Sequence, residues 1–371
     1  MGVWIAYRLL PRSPLHLGER GVGMEETSVT IRADTLFSAL CVTLRELGED
    51  LSALCRGFPR AYAPAHGHIY LEAGDSDEPP FLLSSTFPFA GDVFFLPRPM
   101  LRPVDVPTDL APSLGKTLKK VRFVSKPIFE AMLRGTSLRP FLAKGDGRGG
   151  FRTDVFLQDG ALWVTPDELA TLAAWRDDIS GRYRLWAKTV APRVTVDRVN
   201  SHSQVYGVGQ VHFARGAGLY FLAQFRDENV RKRIERALRV LGDSGIGGER
   251  SSGYGQFEIA SIERFQLQEP DEDASNGFCT LSPFWPGPDE VDVVNAPGAS
   301  YLLLPRRGWI ASPDGMNLRR RTVRMLAEGT VLPLKPRGAL VDVKPIEPLP
   351  VRNVPHDVWR YGMAFPVRCV R

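Results

Sequence analysis

One uninterrupted stretch constrains this chain more than any other. GLYFLAQF, residues Gly218 to Phe225, is largely apolar and reads as a strand. RDENVRKRIERALRVLG follows, with Val230, Ile234, Ala237, Leu238 and Leu241 on one helical face. The opposite face carries Arg231, Lys232, Arg233, Arg236 and Arg239, which read as a solvated helix exterior. GDSGIGGERSSGYGQF, Gly242 to Phe257, then packs six glycines around one arginine and three serines. QFEIASIERF completes the series as an alternating strand.

Glycines in such number mark a backbone that turns sharply or approaches something closely. Successive bare N–H groups form an anion-binding concavity, so a phosphate is the first ligand to consider. A mononucleotide loop needs G-x-x-x-x-G-K and then Ser or Thr, but Tyr254 and Gly255 follow Gly253 here. The dinucleotide fingerprint starts at Gly245 and Gly247, then meets Arg250 where its third glycine belongs. Order decides the matter. Both motifs open a helix so that its N-terminus faces the phosphate, whereas here the helix precedes the loop. No nucleotide cofactor is implied. A structural glycine turn and a cradle for a nucleic-acid strand both remain. In the second, Arg250, Ser251 and Ser252 touch phosphate and Tyr254 offers a stacking face.

The beginning of the chain repeats the grammar. VWIAYRLL, Val3 to Leu10, reads as a strand ended by Pro11. After the loop HLGERGVGMEE, Phe37, Leu40, Cys41, Leu44 and Leu47 recur at helical spacing, with Asp34 as N-cap and Gly48 just past the end. A further strand is expected within PPFLLSSTFPF or VFFLP, between Pro79 and Pro97. Strand–helix early and strand–helix–strand late fit a β-α-β-β-α-β unit, an α+β ferredoxin-like (RRM-like) fold over residues 1–265. Residues 97–215 are then a long insertion in that domain. They include the proline-rich PRPMLRPVDVP and the glycine-rich AKGDGRGG. After the acidic linker LQEPDEDASNG, residues 266–371 form a strand-rich module (SYLLLP, RRRTVRMLA, GALVDV) without a long helix. A contracted second unit of the same type is one reading of it.

The totals narrow the class. The 371 residues carry 47 Lys and Arg against 42 Asp and Glu, a net +5 that permits a polyanionic partner without demanding one. Cys41, Cys55, Cys279 and Cys369 form no C-x-x-C pair, so neither a zinc site nor a disulfide framework is expected. The N-terminal MGVWIAYRLLPRSP is too short in its apolar run for a signal sequence or a membrane span, and the expected location is the cytoplasm.

Between its helix and its strand, G-I-G-G-E-R-S-S-G-Y-G-Q-F resembles the glycine-rich loop of the RAMP superfamily, the ferredoxin-like RNA-binding proteins of CRISPR systems. PRSPLHLGERG, RADTLFSALC, FPFAGDVFFLPRP, KKVRFVS, APRVTVDRVNSHSQVYGVGQVHF, LLLPRRGWI, VRMLAEGTVL and the closing HDVWRYGMAFPV occur in that order. Together they resemble the fourth-subunit family of the Csm effector complex (type III-A), over nearly the whole chain. The resemblance implies a subunit similar in role to the fifth Cas family. Such a subunit caps the crRNA at its 5′ repeat-derived handle and sits between the large polymerase/cyclase subunit and the first backbone RAMP subunit. It meets target RNA only indirectly and is not itself the nuclease.

Carried onto this sequence, the resemblance marks Gly245, Gly247, Gly248, Arg250, Ser251, Ser252, Gly253 and Tyr254 as the crRNA-contacting loop. APRVTVDR brings Arg193 and Arg198, which could equally pair with Asp197 or other carboxylates. KTLKKVRFVSK brings Lys116, Lys119, Lys120, Arg122 and Lys126. Its cations interleave with Val121, Phe123 and Val124, the pattern of an edge strand or ribbon with a basic face that tracks phosphates. A basic surface strand without a ligand is the alternative.

Two rival functions differ in kind. A metal-independent RAMP endoribonuclease would cut repeat RNA with a histidine as general acid or base, and His16 and His202 are the candidates. Either equally suits a hydrogen-bonding role, and His16 is expected to contact RNA without doing chemistry. His66, His68, His212 and His356 fit no usual metal-ligand set. The other rival is an interaction module of the same fold that bridges proteins without touching RNA.

Overall fold

The computed structural model of the chain describes residues 3–18, 24–62, 68–76, 78–106, 111–143, 151–196, 203–310, 318–345, 354 and 356–371. In chain order, β1 (Trp4–Pro11) leads to α1 (Ala33–Glu46) and the short α2 (Leu51–Arg56). Five short strands follow: β2 (Arg60–Tyr62), β3 (Tyr70–Glu72), β4 (Phe81–Leu83), β5 (Phe87–Ala90) and β6 (Val93–Pro97). Next come α3 (Ala111–Lys120), β7 (Phe123–Ser125), α4 (Lys126–Leu133), β8 (Phe156–Leu157), β9 (Leu162–Trp163) and α5 (Glu168–Thr171). A long pair, β10 (Trp186–Val196) and β11 (Ser203–Phe213), precedes β12 (Ala217–Phe225), α6 (Glu228–Ser244) and β13 (Phe257–Phe265). The remainder holds β14 (Gly277–Thr280), α7 (Val291–Asn295), β15 (Leu303–Arg306), β16 (Val323–Leu326), β17 (Val331–Leu332), β18 (Gly338–Asp342), β19 (Trp359–Met363) and β20 (Pro366–Cys369). The fold is mixed α+β and rich in strands.

Its main sheet runs β13-β1-β12-β5-β6-β7-β9-β8, with β4 pairing a second stretch of β12. β1 lies between β13 and β12. It is antiparallel to β12 from Ile5↔Ala223 to Leu9↔Leu219, and to β13 from Trp4↔Phe265 to Pro11↔Phe257. The first four strands therefore stand in the chain order fourth, first, third, second, with α1 after the first and α6 after the third. The two helices pack on each other. Leu36, Phe37, Leu40 and Leu44 of α1, and Ile234, Ala237, Leu238 and Leu241 of α6, are buried against this sheet. Each buried leucine or phenylalanine stabilises the layer by about 1.5–3 kcal/mol.

The segment after residue 97 does not hang apart from the sheet. β7, β9 and β8 extend it beyond β6, through Leu96↔Val124 and then the parallel pairing Val124↔Trp163. The C-terminal part is interlocked with the start of the chain as well. β2 joins β18 in parallel, Leu340↔Arg60, within the sheet β19-β18-β2-β3. Phe37, Phe58, Phe81 and Tyr361 form one aromatic cluster, and the Leu83 N–H donates to the Tyr361 hydroxyl at 2.8 Å.

Two expectations are corrected here. Asp34 is not the N-cap of α1; Arg32 occupies that position, and Asp34 lies fully buried inside the first turn. The reason is tertiary. Its carboxylate is claimed by Arg306 and Arg360, from β15 and β19. The basic stretch 116–126 is not an edge ribbon either. Leu114, Leu118 and Val121 recur at helical spacing and are buried, so Lys116, Lys119 and Lys120 ride on α3. Phe123–Ser125 is an inner strand, and Pro127 in the first turn of α4 suits a helix start at Lys126.

Candidate nucleic-acid interface

The glycine loop is built between a well-capped helix and an edge strand. The Asp227 carboxylate accepts the Val230 N–H at 2.9 Å and starts α6. The basic exterior of that helix is tied down by carboxylates. Arg231 and Arg239 pair with Glu235, while Arg233 and Arg236 pair with Glu49 beyond α1. The apolar face expected for the helix is the buried one.

Beyond Ser244 the backbone turns over itself. Gly247 has φ +102°, and a Cβ there would stand 2.5 Å from the His16 carbonyl oxygen. Gly255 has φ +79°, and a Cβ there would stand 2.0 Å from the Ile246 carbonyl oxygen. At both positions a side chain would collide with backbone, so glycine is a steric requirement. A single 3-10 turn, Arg250–Ser252, caps the loop between Glu249 and Gly253, both left-handed. Arg250, Ser251, Ser252 and Gly253 are exposed at this tip.

Most of the loop amides are spent inside the protein, which corrects the picture of a row of bare N–H groups. Ile246 donates to Gly255 O, Gly248 to His16 O, Gly253 to Arg250 O, and Gly255 to Pro14 O. The Gln256 amide reaches Ser13 Oγ at 2.9 Å. Among the described residues, the amides of Gly247, Glu249, Arg250 and Ser251 have no protein acceptor, and they cluster at the tip. The loop is thus a rigid pedestal that presents a short exposed turn.

Residues 12–17 form one wall of the pedestal. Arg12 pairs with Asp243 at 2.6 Å and donates to Gly242 O at 3.2 Å. His16 is 6% exposed, and its Nδ1–H donates to the Gly209 carbonyl on β11 at 2.8 Å. The Gly248 position packs against the imidazole itself. His16 therefore joins the loop to the β10–β11 ribbon rather than opening to solvent.

That ribbon is a two-stranded antiparallel pair with continuous register from Trp186↔Phe213 to Val196↔Ser203. Period two divides it. One face carries Val190, Val194, Val196 and Val205, all exposed. The other carries Arg193 opposite Tyr206, with Gln210 further along. Arg193 Nη2 donates to the Tyr254 hydroxyl oxygen at 3.1 Å, and Arg193 Cζ lies 5.5 Å from the ring centroid. Gln210 Nε2 donates to the same oxygen.

Tyr254 is consequently 4% exposed and does not offer the open stacking face expected of it. Gln210 was not anticipated as a site residue. Its signal was present in the alternation of VYGVGQVHF, which puts Tyr206, Val208 and Gln210 on the face of Arg193.

The structure brings together His16, Gly245, Gly247, Gly248, Arg250, Ser251, Ser252, Gly253, Tyr254 and Arg193. It does not bring the lysines there. Lys116, Lys119, Lys120 and Arg122 are exposed on α3 and the turn after it. Lys126 pairs with Glu130 at 3.8 Å and stands 5.2 Å over the ring of Phe265. Phe265 ends β13, whereas the glycine loop enters that strand at Phe257, about 27 Å away at ~3.4 Å per residue. Arg198, Asp197 and His202 lie outside the described residues, as does His66.

Comparisons with known proteins agree with one another. The family model described as the CRISPR Csm4 C-terminal domain matches residues 273–369. A protein of Thermococcus onnurineus (strain NA1) called CRISPR system Cms protein Csm4 is 27% identical over 375 residues, covering 99% of this chain and 97% of its own. A protein of the same name from Mycobacterium tuberculosis (strain CDC 1551 / Oshkosh) is 27% identical over 331 residues, 88% of each chain. Among solved structures, a chain of a Csm3-Csm4 subcomplex from the type III-A CRISPR-Cas interference complex matches with a TM-score of 0.59 at 14% identity, covering 98% of both chains. A chain of a Csm1-Csm4 cassette in complex with cA4 matches with a TM-score of 0.52 at 19% identity, covering 99% of this chain and 98% of that one. The domain model and the end-to-end relatives converge: residues 273–369 match the Csm4 C-terminal domain, and the chain as a whole is similar to the Csm4 proteins of CRISPR systems.

Proposed function

We propose that this chain is a non-catalytic guide-RNA-binding subunit of a type III-A CRISPR interference complex. It caps the 5′ repeat-derived handle of the crRNA and bridges the large polymerase/cyclase subunit to the first backbone subunit. The solved relatives pair Csm4 with Csm1 and with Csm3, which supports the two protein partners. The observation that carries the RNA reading is the exposed turn Arg250–Gly253, held on a rigid loop beside Arg193 of the ribbon. Cations and hydroxyls on a fixed backbone are suited to phosphate contacts that set register without reading sequence.

The order fourth-first-third-second in the main sheet, with α1 and α6 packed together, supports a ferredoxin-like RAMP unit over residues 1–265. Residues 266–371 are the second, strand-rich unit, and the family model that begins at residue 273 supports a boundary there. A holding role rather than a cutting one is supported by His16, whose Nδ1 is committed to a backbone carbonyl and whose ring is buried. Among the described residues no helix is long and apolar enough to cross a membrane, which fits a cytoplasmic ribonucleoprotein.

Co-purification from the native operon, followed by sequencing of the 5′ ends of the bound RNA, tests the assignment. A uniform repeat-derived 5′ end together with the large and backbone subunits is expected. Cleavage of repeat RNA by the purified chain in EDTA, abolished by His16→Ala, would overturn the non-catalytic part.

A further inference from the structure

Among the described residues, β10 and β11 form a two-stranded sheet of their own, joined to the rest of the chain by the isolated bridge Leu15↔Val211. A lone two-stranded ribbon is marginal in water, so its orientation depends on what clamps its base. Several contacts do this, among them the Gly209 N–H bond to the Met24 carbonyl at 2.7 Å and the Lys188 Nζ bond to the Thr27 carbonyl at 2.6 Å. Leu15 bridges Val211 through paired backbone hydrogen bonds of 3.0 and 2.9 Å. His16 holds the Gly209 carbonyl, and Tyr254 gathers Gln210 and Arg193 onto one oxygen.

The Tyr254 clamp holds the ribbon's arginine next to the glycine loop. Gly253 and Gly255, at φ +83° and +79°, flank Tyr254 and turn its side chain inward beneath the loop. The hydroxyl there accepts from Arg193 Nη2, and the ring lies under the guanidinium. On the other side, His212 Nε2 donates to Gln210 Oε1 at 2.9 Å, which orients the amide that reaches the same hydroxyl. Arg193 has no carboxylate in salt-bridge contact among the described residues, although Glu249 of the loop lies within its electrostatic reach. Among the described residues, its other guanidinium N–H groups have no hydrogen-bond acceptor.

We propose that Tyr254 is a positioning residue for guide-RNA binding. Its buried hydroxyl fixes the Arg193 guanidinium beside the exposed turn Arg250–Ser252, so that ribbon and loop grip one phosphate between them. The proposal rests on the RNA-holding reading above and adds to it which residue sets the grip. Arginine suits the task because its planar fork loses little freedom once one edge is held, and the opposite edge meets a phosphate bidentately. The tyrosine works through its oxygen, not through a base-stacking face.

The test uses the full-length chain and a single-stranded RNA that carries its repeat-derived 5′ handle, titrated across a range of salt concentrations. Tyr254→Phe keeps the ring and its packing and removes only the acceptor oxygen. Its expected effect is about a tenfold weaker Kd, the loss of one charge-assisted hydrogen bond's worth of preorganisation. The slope of log K against log salt should fall by about 0.7, one phosphate on a single strand, and Arg193→Ala should lose the same slope. Because the two residues act as a unit, the Arg193→Ala/Tyr254→Phe double variant should bind no more weakly than Arg193→Ala alone. Wild-type affinity and slope in Tyr254→Phe would overturn the proposal, as would losses that multiply in the double variant. If Tyr254→Phe does not fold, Gln210→Ala, which leaves the loop's packing in place, carries the same expectation of weaker binding with reduced slope. Absence of any handle binding by the wild-type chain overturns the RNA-holding reading itself. Intact wild-type binding with an indifferent Tyr254 overturns the positioning role alone.

Discussion

Arg306 and Asp34, 272 residues apart, meet in a buried two-pronged ion pair, with Nε to Oδ2 at 2.9 Å and Nη2 to Oδ1 at 3.0 Å. Arg360 closes on the same carboxylate from β19. One aspartate in the first turn of α1 therefore fastens the C-terminal strands to the main sheet. Removing it strands two buried guanidinium groups. Asp34→Ala should destabilise the chain by about 3–5 kcal/mol, read as a loss of melting temperature and of denaturation midpoint. Asp357→Ala, at an exposed pair with Lys344, should change stability by less than about 1 kcal/mol.

The same pair sets an acid limit. Burial alone would raise the Asp34 carboxyl, but Arg306 and Arg360 overcome it and hold the group well below the usual carboxylate range. A depressed folded-state value adds stability above the unfolded pKa of about 3.9, and that stability is lost as pH falls below it. Urea midpoints should drop between about pH 4 and pH 2 in the wild type. Asp34→Asn, already weakened at neutral pH, should show a smaller drop over that window.

Glycines in the loop should differ sharply in tolerance. A Cβ at Gly255 meets the Ile246 carbonyl, whereas one at Gly253 meets nothing within 4 Å. Gly255→Ala is expected to disorder the pedestal and abolish handle binding. Gly253→Ala should cost only the left-handed backbone term, about 1–2 kcal/mol, and retain measurable binding. Parallel melting and RNA titrations separate the two.

Exposed tip residues should act through phosphate alone. Arg250→Ala is expected to leave melting temperature unchanged, weaken handle RNA of any sequence alike, and reduce the salt slope by about 0.7. A slope unchanged from wild type would remove Arg250 from the contact set.

What could be read in advance was what is local. The face of α6, the glycine loop and the strands within SYLLLP, RRRTVRMLA and GALVDV each follow from period or composition over a dozen residues, and the structure has them there. Two features depend on distant partners. Asp34 looks like a helix cap until Arg306 and Arg360 arrive from β15 and β19. Tyr254 looks like a stacking platform until β11 lays Gln210 against its hydroxyl. In the basic stretch 116–126 the deciding signal is local: the cations suggest a ribbon, but Leu114, Leu118 and Val121 at helical spacing set its shape.

The central claim, that the loop from Gly245 to Gly255 holds the 5′ handle, is open to one direct measurement. The assembled complex would be loaded with crRNA carrying a photoreactive nucleotide in the handle, irradiated, and mapped by mass spectrometry. Cross-linked peptides should fall on residues 245–256 and on the ribbon around Arg193. Cross-links confined to other surfaces of the chain, or to other subunits alone, would contradict it.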